Sequence, residues 1–178
     1  MNNPFYPHIF EPFTVKNMTL KNRIVMPAMG TNLAGEYGEG TERQIRYYEE
    51  RARGGTGLII VENVNVDYPQ GTNGSTQPRI DHERYIPGLS RLVEAVRKYN
   101  ARIGVQLNYA GASSNNERTE GRGVVSSSDV PSKIGGEVPR PLTKEEIYNI
   151  VKKFGQAAKR AVIAGFDCVE IHGGHSYL

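Results

Sequence analysis

Residues 143–172 read TKEEIYNIVKKFGQAAKRAVIAGFDCVEIH, a pattern that predicts a capped helix followed at once by a short apolar strand. Apolar side chains recur at helical spacing in the first part, Thr143 and Glu146 have the spacing of a capping box, and Gly165 offers a stop. A two-residue connection then leads into the apolar run Asp167 to His172, as is usual between helix and strand in α/β units. This stretch therefore predicts a helix that returns directly into a buried strand.

The same alternation of helix and strand recurs along the rest of the chain. Two further segments have one apolar helical face, the first beginning at Thr41, where Gln44 completes capping-box spacing, and the second running from Ile86 to Val96. Four short runs rich in Val, Ile or Leu are predicted as strands, namely Arg23 to Met29, Gly57 to Glu62, Ile103 to Leu107 and Asp167 to His172. The order β-α-β-α-β-α-β predicts a parallel sheet, either open and doubly wound or part of a barrel.

Three segments outside these elements complete the predicted organisation. The loops Asn63 to His82 and Asn108 to Leu142 each follow a strand and are rich in Gly, Ser, Asn and Pro. Loops in that position carry function in both architectures. Thr14 to Asn22 is predicted to form a hairpin that closes the floor of a barrel. With no internal repeat and no linker in the sequence, we place no domain boundary.

Composition narrows the class of protein. The chain has 178 residues, 38% hydrophobic and 23% charged, which is ordinary for a globular protein. A net charge of +3 without a block of Lys or Arg argues against nucleic acid as a partner. The single cysteine, Cys168, excludes a disulfide within the chain, favours a reducing cytoplasmic location and is interpreted as a core residue. No apolar run approaches a membrane span, so we expect no membrane partner.

Polar side chains gather immediately after the fourth predicted strand. His172 ends this strand, and His175 and Tyr177 follow within five residues, with Gly173 and Gly174 allowing the backbone to turn sharply. In a barrel the carboxyl ends of the strands face the active site, so these side chains are expected to converge there. Two other interpretations stay open: a hydrogen-bonded strand end, which is the commoner meaning of an isolated pair of histidines, and one half of a zinc site.

Four segments taken together resemble the Old Yellow Enzyme family. They are Leu20 to Met29, Gly57 to Glu62, Gly104 to Leu107, and Ala164 to Asp167 with the ending His-Gly-Gly-His-Ser-Tyr-Leu. The resemblance covers nearly the whole chain and is strongest to the branch of enoate reductases and 2,4-dienoyl-CoA reductases. It implies an α/β fold, the parallel (β/α)8 TIM barrel, with FMN at the carboxyl ends of the strands. A complete barrel takes about 250 residues, so residues 1–178 are expected to be the N-terminal half of an FMN-binding oxidoreductase domain, truncated after four strands and three helices.

The resemblance also implies which residues contact the flavin. The family positions that match are Pro27, Ala28, Met29 and Gly30 against the isoalloxazine, Asn63 just after the second strand, and Gln106 at the pyrimidine edge. A carboxamide suits that edge because it offers both a donor and an acceptor. A glutamine that pointed into a barrel without a partner would be costly, which favours a functional interpretation of Gln106.

A catalytic role follows from the same resemblance for the residues after the fourth strand. His172 and His175 match the pair that binds the carbonyl or carboxylate of an activated alkene, and Tyr177 matches the proton donor. The implied activity is hydride transfer from NADH or NADPH through FMN to a carbon-carbon double bond of an enoate, enone or enoyl-CoA. Relatives in this branch also carry an iron-sulfur cluster and FAD further along the chain, and a homo-oligomer is compatible with the sequence.

Four positions depart from the family pattern and bear on substrate choice and flavin potential. Tyr109 and Ala112 stand where many relatives have His and Arg, Gly30 stands in place of Thr or Cys, and Ser176 replaces Gly. Two alternatives to the flavoenzyme remain at this stage. One is a half-barrel that binds no flavin and has a structural role, and the other is a metal-dependent barrel enzyme that uses His172 and His175.

Overall fold

The computed structural model describes residues 4–133 and 136–177. The remaining positions, which include two in the predicted loop Asn108 to Leu142 and the last residue of the family motif, lie outside the described residues. In chain order the elements are β1 (Phe13–Val15), β2 (Met18–Leu20), β3 (Val25–Met26), α1 (Glu42–Arg53), β4 (Leu58–Asn65), α2 (Ile86–Arg97), β5 (Arg102–Asn108), β6 (Val125–Ser126), β7 (Arg140–Pro141), α3 (Lys144–Ala164) and β8 (Cys168–Ile171). Single turns of 3₁₀ helix occupy Glu83–Tyr85 and Gly111–Ser113.

The central sheet is parallel and its strands keep their sequence order, β3-β4-β5-β8. Helix α1 packs on α2, and α2 packs on α3, so neighbouring helices form one continuous layer. A doubly wound sheet would reverse its strand order at a switch point and carry helices on both faces. The arrangement is therefore that of four consecutive strands of a barrel with the three helices that connect them, which resolves the alternative that periodicity left open.

The core lies between the outer face of the sheet and the helix layer. Its largest members with no exposed surface include Tyr48 from α1, Ile59 from β4, Leu92 from α2 and Ile103 from β5. The predicted apolar faces of α1 and α2 are thus buried, as expected for amphipathic helices on a sheet. The face predicted for α3 is buried only in part, since Ile150 and Ala161 are buried but Ile147 and Val151 are exposed. None of the helices in the described part of the chain combines the length and apolarity that a membrane crossing requires.

Capping explains where the helices begin and end. The Thr143 hydroxyl accepts from the Glu146 N–H and the Glu146 carboxylate accepts from the Thr143 N–H, which is the complete capping box predicted for α3. Gly165 ends that helix at φ +97°, a left-handed conformation that favours glycine. At the start of α1, Thr41 accepts from the Gln44 N–H, but the Gln44 side chain is used elsewhere. Only half of the second predicted capping box therefore forms.

Two strands differ from their predicted bounds. Of the run Arg23 to Met29 only β3 pairs with a neighbour, so the residues that follow it form an irregular segment. Strand β4 runs on to Asn65, with a register shift against β5 between Val61 and Val64. Asn63 was expected just after this strand and instead lies within it, at the shift. Bulges of this kind redirect side chains next to functional sites.

The N-terminal hairpin is confirmed. Strands β1 and β2 pair antiparallel, and Lys16 takes φ +51° in the turn between them. Lys21 Nζ donates to the Tyr99 carbonyl oxygen at 2.7 Å, and Arg102 Nε donates to the Thr19 carbonyl oxygen at 3.1 Å. Because Arg102 begins β5, these bonds hold the hairpin at the amino ends of the strands, which is the floor of the barrel.

Cys168 is less buried than the sequence suggested. Its side chain faces the barrel interior, where a Cβ added to Gly104 would lie 2.6 Å from Cys168 Sγ, so glycine is required for this close approach. The residue is nevertheless only partly buried, because β8 is an outer strand of the sheet among the described residues. Cys168 is therefore a partly buried residue and not the core residue that the sequence suggested. Burial still raises the pKa of its thiol.

Candidate active site at the carboxyl ends of the strands

A cavity of about 200 Å³ opens where the parallel strands end, inside the curve of the sheet. It is lined by Ala28, Gly30, Asn63, Gln106, His172, His175 and Tyr177, which come from the segment after β3, from β4, from β5 and from the segment after β8. All of these lining residues are among the nine site residues proposed from sequence. Residues far apart in the chain thus meet at one place because parallel strands present their carboxyl ends at one edge.

Pro27 and Met29 are the two sequence-proposed residues that do not line the cavity. Both are exposed, and Ala28 and Gly30, which alternate with them, are the residues of this segment that line the cavity. A Cβ added to Gly30 would lie 3.7 Å from Asn63 Oδ1, within ordinary contact distance. The wall formed by the segment after β3 and by β4 is therefore made of small groups and one carboxamide, a surface on which a flat ring can lie.

Gln106 is almost fully buried and points into the cavity from β5. Its Nε2 donates to Glu170 Oε1 at 2.6 Å, and Glu170 is the direct register partner of Gln106 on β8. Among the described residues no donor contacts the Gln106 Oε1 atom, so its acceptor is available to a bound group. Glu170 was not proposed from sequence, although the alternation Cys168, Glu170, His172 along β8 already places it on the inward face.

The two histidines and the tyrosine form one aromatic cluster. The His172 ring centroid lies 5.2 Å from that of His175 and 4.8 Å from that of Tyr177. Burial, with a contribution from His175, lowers the pKa of His172, and nearby Glu170 opposes that shift. His172 is therefore a neutral imidazole at neutral pH, able to donate through one ring nitrogen and accept through the other.

A strained turn brings this cluster together. His175 and Ser176 both take φ +58°, in the left-handed region that residues with a Cβ seldom occupy. The Ser176 carbonyl oxygen accepts from Ser113 Oγ at 3.0 Å, which ties the turn to the loop after β5. Strain of this kind persists where surrounding contacts maintain it, and here it turns the His175 side chain back toward His172.

The Tyr177 hydroxyl is held from the loop after β4. Asn73 Nδ2 donates to the Tyr177 hydroxyl oxygen at 2.7 Å, so the phenol accepts this bond and keeps its own proton for another acceptor. Asn73 is positioned by Gln77, whose Oε1 accepts from the Asn73 N–H and whose Nε2 donates to the Asn63 carbonyl oxygen. The composition of the loop marked it as functional, but nothing in the sequence singled out Asn73.

The two departures after β5 lie away from this cavity. Tyr109 and Ala112 are buried and do not line it, and Tyr109 instead borders a separate cavity of about 260 Å³ near the start of α3. Within residues 4–133 and 136–177, no group of three or more His, Cys, Asp or Glu side chains is arranged to hold a metal ion. His172 and His175 therefore lack a third protein ligand among these residues, and the metal-site alternative gains no geometric support.

Comparison with known proteins places the chain in a family. A family model described as NADH:flavin oxidoreductase / NADH oxidase matches residues 8–178. The chain is 49% identical over 173 residues to an NADH oxidase of Thermoanaerobacter brockii, covering 97% of this chain and 27% of the relative. It is 42% identical over 170 residues to an NADPH dehydrogenase of Clostridium acetobutylicum, covering 96% of this chain and 49% of the relative.

A solved structure supports the same assignment at the level of the fold. The structure of the old yellow enzyme homologue from Zymomonas mobilis superposes with a TM-score of 0.89 at 28% identity, over 97% of this chain and 50% of that one. The chain thus spans from about a quarter to half the length of these relatives. It belongs to the NADH:flavin oxidoreductase / NADH oxidase family, and its four parallel strands with their three helices correspond to about half of an Old Yellow Enzyme TIM barrel.

Proposed function

We propose that the protein is an FMN-dependent ene-reductase, which transfers hydride from NADH or NADPH to an activated carbon-carbon double bond. The observation that carries the proposal is the single cavity in which a carboxamide from β5, two imidazoles and a phenol face a wall of small residues. Membership of a flavin oxidoreductase family supplies the cofactor class. The relatives named NADH oxidase and NADPH dehydrogenase agree with a nicotinamide as reductant.

The residues that line the cavity fit an isoalloxazine ring. Ala28 and Gly30 offer no bulk against its plane, and Gln106 presents an unused amide oxygen to its hydrogen-bonding edge. The bond to Glu170 fixes the Gln106 amide, so the acceptor is oriented before any ligand arrives. Asn63 provides a second carboxamide on the same wall. When bound, FMN would supply hydride acceptance from the nicotinamide and hydride donation to the substrate.

His172 and His175 would bind the oxygen of the activating group. As hydride reaches the β-carbon of an enone, enoate or enoyl-CoA, negative charge develops on the carbonyl or carboxylate oxygen. Imidazole N–H donors aimed at that oxygen stabilise the charge more strongly than they stabilise the uncharged substrate. The lowered pKa of His172 keeps this residue a neutral hydrogen-bond donor, so it orients the oxygen without transferring a full proton to it.

Tyr177 would complete the reaction by protonating the α-carbon. The bond from Asn73 occupies an acceptor site of its oxygen and leaves the O–H proton to be donated to the substrate. A phenol with an ordinary pKa of about 10 is fully protonated at neutral pH and still acidic enough for a carbanion-like centre. The ring contact between Tyr177 and His172 supports this role, because both side chains then lie on the same side of the cavity.

The alternatives predict different behaviour in solution. A structural half-barrel would bind no flavin, and a metal-dependent enzyme would need a third ligand beside the two histidines. An iron-sulfur cluster and FAD further along the chain stay predictions from the resemblance, and a homo-oligomer stays compatible with the sequence. Dioxygen as the electron acceptor is a second candidate function, favoured by the name of the Thermoanaerobacter relative.

Anaerobic reoxidation of the full-length protein tests the proposal. After reduction of bound flavin with one equivalent of NADH or NADPH, addition of an enone, an enoate or an enoyl-CoA should restore the oxidised flavin spectrum within seconds and yield the saturated product. A matched saturated ketone or acid serves as the control and should leave the flavin reduced. Failure of all three alkene classes to reoxidise the flavin would contradict the ene-reductase assignment.

A further inference from the structure

A buried carboxylate lies directly behind the wall of the cavity, outside the set of residues proposed from sequence. Glu62 has 1% of its surface exposed and accepts hydrogen bonds from two other parts of the chain. The Thr31 N–H donates to its Oε2, and Thr31 Oγ1 donates to its Oε1 at 2.7 Å. From α1, Gln44 Nε2 and the Tyr48 hydroxyl donate to the same Oε1 at 3.0 and 3.1 Å.

Every neighbour of this carboxylate presents a donor, which suits a group that can only accept. Burial, and next the charge of Glu62, raise the pKa of Tyr48, so the phenol keeps the proton that it donates. Burying a carboxylate is costly unless several hydrogen bonds satisfy it. An apolar side chain at position 62 would pack between sheet and helix without the free-energy cost of burying a carboxylate. The hydrogen bonds between Glu62 and Thr31 therefore need an explanation other than packing.

The register shift in β4 explains how Glu62 reaches the helix side of the sheet. Val61 and Val64 both belong to the core between sheet and helices, although strict alternation would place an odd and an even position on opposite faces. Because of the register shift, two residues, Glu62 and Asn63, lie between Val61 and Val64, where regular alternation would place one. Glu62 is thereby directed toward α1, while Asn63 is directed into the cavity.

Both chain neighbours of this contact line the cavity. Thr31 directly follows Gly30, and Glu62 directly precedes Asn63. The Glu62 carboxylate therefore joins the segment after β3 to β4, next to the residues that line the cavity. Strand β3 has already ended here, so strand pairing with β4 does not hold this segment in place. Without the carboxylate, no hydrogen bond among the described residues would join Thr31 to the sheet.

We infer that Glu62 is a positioning residue for the cofactor, which acts through Thr31 to fix the Gly30 backbone against Asn63 and so sets the affinity and reduction potential of bound FMN. The inference rests on the proposed function, because it concerns the same cavity. Glu62 itself does not touch the cavity, so its effect on the flavin is transmitted through the backbone. Small shifts of the backbone, of about an ångström or less, alter function strongly in preorganised sites.

Four single variants of the full-length, flavin-loaded protein separate positioning from stability. Glu62→Leu removes the whole acceptor, and Thr31→Ala removes only the hydroxyl contact. Thr31→Ser is the conservative variant, since it keeps that hydroxyl. Tyr48→Phe is the matched control. It removes from the helix side one donor to the same carboxylate and the acceptor of the Glu62 N–H, and it leaves both Thr31 contacts intact.

The measurements are the FMN dissociation constant, the visible spectrum and midpoint potential of bound FMN, and the melting temperature. We expect Glu62→Leu to weaken FMN about tenfold, as loss of an outer-shell partner commonly does, with an altered flavin spectrum and potential. Thr31→Ala should change the same quantities in the same direction, and Thr31→Ser should restore them. Tyr48→Phe should lower the melting temperature while FMN affinity stays within about twofold of the wild type.

Each outcome decides a separate question. If Tyr48→Phe perturbs the flavin as much as Glu62→Leu does, the network is merely structural and the inference is overturned. If Glu62→Leu does not fold, the Thr31 pair decides, and equal flavin properties for Ala and Ser at this position overturn the inference. A wild-type protein that binds no FMN overturns the proposed function, whereas normal FMN binding in every variant overturns the positioning role alone.

Discussion

Replacing Tyr177 by Phe removes one oxygen atom from the cavity and leaves an aromatic ring beside His172, whose centroid lies 4.8 Å away. Two effects follow from the loss of this oxygen. The proton donor of the proposed reaction disappears, and Asn73 loses its bond to the hydroxyl. The first effect concerns only the step in which the substrate is protonated, and the second is structural.

The expected magnitudes differ enough to separate these two effects. A general acid typically contributes about 10²-fold to 10⁴-fold in rate. That range corresponds to about 2.7 to 5.5 kcal/mol of barrier, at about 1.36 kcal/mol for each tenfold change. One neutral hydrogen bond is worth only about 0.5 to 1.5 kcal/mol, which limits the structural effect to about tenfold. Slowing of more than about a hundredfold therefore reports the lost proton donor.

Stopped-flow absorbance of the flavin measures the two half-reactions separately in the full-length protein. We expect Tyr177→Phe to slow reoxidation by an activated alkene at least a hundredfold, within the general-acid range, and to leave flavin reduction by NADH or NADPH within about twofold. Asn73→Ala is the control, because it removes the bond to the phenol but keeps the acid, and it should slow reoxidation by less than about tenfold. Equal slowing of both half-reactions by Tyr177→Phe would refute the proton-donor role.

Three further results are expected. Gln106→Leu should weaken FMN binding, measured by absorbance after gel filtration, by about 1 to 3 kcal/mol, since it removes the amide that lines the cavity and would bind the flavin edge. Unchanged affinity would remove Gln106 from the cofactor site. Hydrogen bonding to Arg140 lowers the pKa of Glu146 to about 2, so its contribution to stability is present above the unfolded pKa of about 4.3 and lost as pH falls toward 2. The difference in melting temperature between wild type and Glu146→Gln should therefore shrink over that range, and a pH-independent difference would contradict the assignment. A polypeptide of residues 1–178 alone should associate or bind FMN weakly in light scattering and fluorescence titration, since β3 and β8 are outer strands beside exposed apolar side chains; a monomer with micromolar FMN affinity would contradict this expectation.

Local signals were sufficient to predict α3 and the strand after it. Thr143, Glu146 and Gly165 determine the ends of that helix through contacts with nearby backbone, which sequence spacing displays directly. The half-formed capping box at Thr41 shows where such signals fail. Gln44 has the right spacing, but its side chain donates to a carboxylate 18 positions away, and this long-range contact is invisible in the local pattern.

At the candidate site, too, features set by local sequence could be predicted and features set by long-range contacts could not. Residues at strand ends could be proposed because parallel strands bring their carboxyl ends together regardless of detail. The partners that orient those residues, Glu170 and Asn73, depend on register and on the path of a long loop. Glu62 escaped notice because a register shift, not alternation, decides which way it faces. A single sequence does not display shifts of register between strands, so this part of the site required the structure.

The fate of isotopically labelled hydrogen tests the central claim most directly. The full-length protein is supplied with nicotinamide deuterated at the transferable position and an activated alkene in ordinary water, and then with unlabelled nicotinamide in deuterated water. Hydride delivery in the proposed cavity with protonation by Tyr177 predicts one deuterium at the β-carbon in the first experiment and one at the α-carbon in the second. Consumption of the nicotinamide without a labelled saturated product, its electrons passing to dioxygen instead, would contradict the assignment of this protein as an ene-reductase.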